Sequence, residues 1–241
     1  SDPLGTLVDI VGLKPDSKVL RRLRGNDATM IFQEPMTALS SFYTIGNQIV
    51  EALRQHKRVT KNQARAKAIE VLEAVGMPDP QTQMESYTFE LSGGQRQRAM
   101  IAMALMTNPR LLIADEPTTA LDVTTQAVIL DLMRTIQKKF EMSILFITHD
   151  LGVVSEIADE VVVMYLGEVV ESGPVEQIFS NPRHPYTRAL ISAAPHYAGN
   201  QETRLPVIPG IVPSLFERPA GCAFSTRCTH TKSELCNIDR P

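Results

Sequence analysis

The spacing of apolar positions divides the chain into an uneven start, a helical middle and a later stretch in which strands and helices alternate. From Lys61 to Val75, the positions Ala64, Ala68, Val71, Leu72 and Val75 fall on one side of a helix, with Thr60 placed to cap it and Gly76 to close it. Ile45 to His56 predicts a second helix and Gln95 to Thr107 a third. Ala28 to Gln33 reads as a buried strand that presents Gln33 at its end. From Leu111 the order is strand Leu111 to Asp115, helix Val123 to Phe140, strand Ile144 to Thr148, helix Leu151 to Asp159. Continuous apolar strands separated by helices predict an α/β fold whose parallel sheet is covered on both faces, with its site at the carboxyl ends of the strands. Asp115, Glu116 and His149 all stand at such ends.

The flanks carry weaker patterns. Gly5 to Val11 is apolar enough for a strand and Asp16 to Leu23 suits a short helix, while Met77 to Glu90 is polar. Leu166-Gly167 between Val161 to Tyr165 and Glu168 to Ser172 is a hairpin signal, and Val175 to Phe179 and Tyr186 to Ala194 predict short helices. Beyond Pro195, prolines at 206, 209, 213 and 219 interrupt the pattern, which predicts an irregular tail or a small appended domain.

Chemistry concentrates in two stretches. Ser92, Gly93 and Gly94 precede a long helical run, so a hydroxyl and bare backbone N–H groups stand at a helix N-terminus, where partial positive charge collects a phosphate. The strand LLIADEP at 111–117 ends in two adjacent carboxylates. Asp115 can hold Mg²⁺ through a water, and Glu116 can activate or orient an attacking water. His149 ends another core strand, ahead of Asp150 and a helix, where a γ-phosphate can be sensed. Taken alone, each of these is an ordinary turn, loop or core residue; their order and spacing together give them weight.

The whole-chain numbers narrow the classes. With 241 residues and 43% hydrophobic content, the chain can build one substantial domain and an appendage. A net charge of −3 argues against a nucleic-acid binder, and Arg21, Arg22 and Arg24 read as a solvated helix face. No window approaches about 18 consecutive apolar residues and no export signal is visible, so the expected place is the cytosol.

LSGGQRQR at 91–98, LLIADEP at 111–117, ALD at 120–122 and His149 in ITHD resemble the signature, Walker B, D-loop and switch histidine of ABC-transporter ATPases. IFQEPMTALS at 31–40, DEPTTALDVTTQ at 115–126 and HPYTRALISAAP at 184–195 resemble most closely the ATP-binding subunits of dipeptide, oligopeptide and nickel importers. The resemblance implies a RecA-like parallel sheet core with a helical signature subdomain over about 42–108, the ATPase domain spanning 1–195 and a peptide-importer extension 196–241. It implies ATP and Mg²⁺ as ligands, with Glu116, His149 and Gln33 catalytic, Gln33 and Asp115 on the metal, and Ser92, Gly93, Gly94 and Gln95 clamping the phosphates of a partner's ATP. Asp122 falls at the dimer contact. The implied partners are a second ABC ATPase, two transmembrane permease subunits and, indirectly, a substrate-binding protein. The implied place is the cytoplasmic face of the cell membrane. Ser40-Ser41 stands where the family commonly has Asn-Pro.

Two features stand apart. Cys222, Cys228 and Cys236, separated by five and seven residues, suit an iron-sulfur cluster or zinc but make only three ligands of the usual four, and unligated thiols remain the other reading. The resemblance to peptide importers, which can carry a four-cysteine [4Fe-4S] site here, implies a fourth cysteine beyond Pro241, with His230 as an alternative fourth ligand. The G-x-x-x-x-G-K-[ST] phosphate loop is missing, since no Gly-Lys dipeptide occurs, so the expectation is an internal fragment that binds its own ATP poorly. As a second class of function, the chain as given reads as a non-catalytic docking and metal-binding module.

Overall fold

The computed structural model describes residues 8–33, 38–119, 121–194, 207–231, 233–236 and 238. It divides into two compact units, Ser1–Ile147 and Thr148–Pro241.

The first unit opens with helix α1 (Lys18–Leu23), capped by Ser17. Strand β1 (Ala28–Ile31) leads to helices α2 (Ile45–Arg54) and α3 (Lys61–Ala74), then to short α4 (Pro80–Gln83) and long α5 (Gly93–Leu105). Strand β2 (Leu111–Asp115), helix α6 (Val123–Phe140) and strand β3 (Ser143–Ile147) complete it. The expected side of α3 is its buried side: Ala64, Ala68, Val71, Leu72 and Val75 are all fully buried. Thr60 and Gln63 form a capping box at its start, and Gly76 closes it at φ +68°, a conformation that glycine adopts without a Cβ penalty. Helices α2, α3 and α5 pack on one another as a helical layer, and α5 also packs on β1.

The sheet runs β1-β2-β3, all parallel, with Met30, Ile113 and Leu145 in one row and Ile31, Ala114 and Phe146 in the next. The expectation that both faces are covered is not met among the described residues. Ile31, Leu112 and Ala114 are buried on one face. On the other, Met30, Phe32, Leu145 and Ile147 are 38 to 55% exposed. The apolar pattern of a parallel strand demands cover on both sides, but it does not name which segment supplies it.

A second expectation also fails. Of the strand expected over Gly5 to Val11, the described part, Val8–Val11, is not a strand: Val8 and Asp9 are irregular, Ile10 is a bend and Val11 an exposed turn. Asp9 accepts the Val11 N–H there, and with no neighbouring strand to pair with among the described residues, the local turn wins.

The second unit holds α7 (Leu151–Ile157), the antiparallel hairpin β4 (Glu160–Tyr165) and β5 (Glu168–Pro174), then α8 (Val175–Ser180), α9 (Pro185–Ala193) and α10 (Ser233–Cys236). Leu166 and Gly167 both have positive φ, the hairpin turn that their order signals. Tyr165, Tyr186 and Phe224 gather with ring centroids 4.7 to 5.3 Å apart. Arg227 bonds the carbonyls of Ile208 and Pro209 and the Tyr165 hydroxyl, so the proline-rich stretch from 207 is fastened to the hairpin. The Glu171 carboxylate accepts the N–H groups of Arg183 and His184, and His184 Nδ1 accepts that of Tyr186 to cap α9.

Candidate nucleotide site

β1 and β2 are parallel neighbours, so their carboxyl ends share one edge of the sheet. Gln33 lies two residues past β1, Asp115 ends β2 and Glu116 follows it directly. The Gln33 amide donates to Glu116 Oε2 at 2.9 Å, and the Thr119 hydroxyl donates to the same oxygen at 2.9 Å. Gln33 and Glu116, each expected at the site, are brought together here; Thr119, inside the DEPTTALDVTTQ stretch but not singled out there, joins them.

Glu116 stands at φ +43°, in the left-handed region that costs a non-glycine residue about 1 kcal/mol. Its surroundings hold it there. Its N–H donates to Ile147 O at 2.9 Å, carrying the β2–β3 ladder one residue beyond the strand, and its carbonyl accepts Thr119 N–H at 3.1 Å. Pro117, buried, follows with its φ fixed by the ring, and the Gln97 side chain donates to the Pro117 carbonyl at 2.6 Å. Backbone strain held in place by its surroundings gathers at functional sites, which makes Glu116 a candidate for one.

The N-terminus of α5 is built by Ser92. Its hydroxyl accepts Gln95 N–H at 3.3 Å, and Gln95 Oε1 accepts Ser92 N–H at 2.8 Å. The Gln95 side chain is therefore engaged in capping its own helix. Among the described residues no acceptor meets the N–H groups of Gly93 and Gly94. Neither glycine has positive φ. A Cβ at Gly93 would meet nothing within 4 Å, and one at Gly94 only the Thr125 methyl at 3.5 Å. The chain's own packing does not require glycine at either place, which leaves open backbone for an approaching anion.

Asp122 caps α6, taking the Thr125 N–H at 2.9 Å and the hydroxyls of Thr124 and Thr125. Those hydrogen bonds, Thr124's first, hold its carboxyl well below the usual carboxylate range. His149 is exposed, two residues past β3 and next to Asp150, whose carboxylate caps α7; it belongs to the second unit. Ala120, inside the ALD motif, and residues 34–37 of IFQEPMTALS lie outside the described residues.

Mg²⁺ takes oxygen donors, and this edge of the sheet supplies them: the Asp115 carboxylate, and the Gln33 amide oxygen once its nitrogen is turned to Glu116. The cysteines do not fit a cluster in the same way. Cys222 N–H donates to Cys236 O at 2.8 Å, but the Cys222 thiol faces His184 Nε2 at 4.0 Å and His230 N–H turns to the Cys228 sulfur. Among the described residues, no three His, Cys, Asp or Glu side chains come together as a metal would need. His230 as a fourth ligand is not supported, because its backbone, not its ring, addresses Cys228.

A family model described as ABC transporter matches residues 13–119, and one described as oligopeptide/dipeptide transporter, C-terminal region, matches residues 170–236. A Brucella melitensis protein provisionally named as a peptide import ATP-binding protein is 54% identical over 98% of this chain and 71% of its own length. The dipeptide transport ATP-binding protein of Escherichia coli is 48% identical over 93% of this chain and 68% of its own. Among solved structures, an ATP-binding cassette in a dimeric, post-hydrolysis state bound to ADP and Pi matches with a TM-score of 0.59 at 26% identity, covering 68% of each chain.

Proposed function

Because the chain belongs to the ATP-binding subunits of ABC-type peptide importers, we propose that it supplies the hydrolytic end of an ATP site that drives peptide uptake through separate membrane subunits. The observation that supports this most is the Glu116 carboxylate, set at the end of β2 and oriented by Gln33 and Thr119 on the same oxygen. In this reading Glu116 orients the attacking water and accepts its proton as the water oxygen bonds the γ-phosphorus and the bond from that phosphorus to the β–γ bridging oxygen breaks, releasing ADP and phosphate. Asp115 and the Gln33 oxygen hold Mg²⁺, which neutralises charge on the phosphates. Gly93, Gly94 and the Ser92 hydroxyl face the ATP of a second ATPase, and Asp122 fixes the start of α6 at the contact between the two. The contribution is positioning and electrostatics, as phosphoryl transfer requires.

The same reading places two permease subunits against the helical layer, at the inner face of the cell membrane, with a substrate-binding protein acting on the far side. No described helix is long and apolar enough to cross a membrane. No step runs through the cysteines. Peptides are preferred over nickel as cargo because the matched C-terminal model and both relatives carry peptide names.

The test is ATP hydrolysis and uptake of a labelled tripeptide by the full-length subunit, reconstituted with its partners in proteoliposomes, as wild type and as Glu116→Gln. Hydrolysis and uptake should fall together by at least about a hundredfold while ATP still binds. Unchanged hydrolysis would remove Glu116 from the chemistry, and uptake of nickel without peptide would assign the other cargo.

A further inference from the structure

We propose that Gln97 is a positioning residue for the hydrolysis reaction, holding the Glu116 turn to the signature helix; the inference rests on the ATPase reading above. Gln97 is 1% exposed on α5. A long polar side chain is seldom fully buried without a dedicated partner, and here its amide donates to the Pro117 carbonyl at 2.6 Å. Pro117 is itself buried and directly follows Glu116.

The placement of both ends gives the bond its meaning. Gln97 lies one helical turn after Gly93 and Gly94, so its side chain and the signature glycines share a face of α5. Its amide reaches the carbonyl that follows the strained φ +43° residue. The Gln33 and Thr119 contacts set the rotation of the Glu116 carboxylate; the Gln97 bond sets where the turn sits beneath it. Gly94 also lies against Thr125, in the first turn of α6. The N-terminal part of α5 is thereby tied through the Gln97 bond to the turn that carries Glu116, and displacement of the signature end moves the hydrolytic carboxylate with it.

A carboxylate at 97 cannot donate to a carbonyl, whereas a protonated carboxyl can. In a buried place its pKa is raised, so the protonated form is reached within an accessible pH range. Two variants, Gln97→Glu and Gln97→Met, are measured in the full-length subunit reconstituted with its partners, with kcat and KM for ATP taken from pH 8 to pH 5.5 and thermal unfolding recorded alongside. Gln97→Met should lower kcat about tenfold with KM within about twofold, the size expected for loss of one buried hydrogen bond. Gln97→Glu should be as impaired at pH 8 and recover relative to wild type as the pH falls. Lower unfolding temperature with wild-type kcat in both variants would make Gln97 merely structural and overturn the proposal, as would a rise in KM alone. If Gln97→Glu does not fold, Gln97→Met carries the kcat test by itself. Absence of hydrolysis in the wild type would overturn the ATPase reading instead, so the two failures are distinguishable.

Discussion

Glu116 combines a reactive carboxylate with a backbone conformation that its side chain disfavours, and the two can be separated by substitution. Glu116→Gly removes the left-handed penalty and the carboxylate together. It should raise stability by about 1 kcal/mol in denaturant unfolding of the chain while abolishing hydrolysis in the full-length subunit. A loss of stability would mean that the Gln33 and Thr119 contacts outweigh the strain. The position of Glu116 at a strand end was legible, because the apolar run from Leu111 stops at two carboxylates in order and spacing with the Ser92-Gly93-Gly94 stretch. Its left-handed φ was not, since no residue type at 116 announces it. Thr119 and Gln97 stand inside the quoted motifs without being singled out, because their roles rest on where a side chain turns: Thr119 back to the Glu116 carboxylate three residues away, Gln97 to a backbone carbonyl twenty residues on.

Among the elements, α5 has a cap that can be kept while the site is changed. Ser92→Ala should cost about 1 kcal/mol by loss of the N-cap. Ser92→Asp should keep that stability, because aspartate caps equally well, yet suppress hydrolysis in the assembled transporter by placing a negative charge where a phosphate must come. Thermal unfolding beside ATPase rate separates the two effects. The α9 cap predicts a pH effect. Burial holds His184 below its ordinary 6.5, with Glu171 opposing it. The fold thus favours neutral His184, so its contribution is complete above pH 6.5 and is lost as the pH falls from there toward the lowered value. Burial pushes Glu171 up, but hydrogen bonds that include the N–H groups of Arg183 and His184 bring it below its ordinary 4.5, so it stays charged across this window. The unfolding temperature should therefore drop between pH 7 and pH 5, and His184→Asn, which caps without titrating, should flatten that slope. Elements with strong periodicity or capping came out as read: Leu111–Asp115 and Val123–Phe140 match residue for residue. Those without a partner strand, such as Val8–Val11, did not, because a strand needs a neighbour that its own residues do not specify.

At the scale of the whole molecule, the absent Gly-Lys dipeptide sets a limit on what this polypeptide does unaided. Calorimetry with Mg-ATP should give no saturable heat up to about 1 mM, since open N–H groups at one helix end do not replace a loop that surrounds the phosphates. Saturable binding would require another segment to act as the cradle. The bare side of the sheet has a different bearing. Met30, Phe32, Leu145 and Ile147 form an oily terrace open to water, and water favours any arrangement that hides it. Handling this polypeptide in isolation is consequently a matter of colloid chemistry: sedimentation should show association that grows with concentration and with added sulfate, and Leu145→Lys should keep it dispersed.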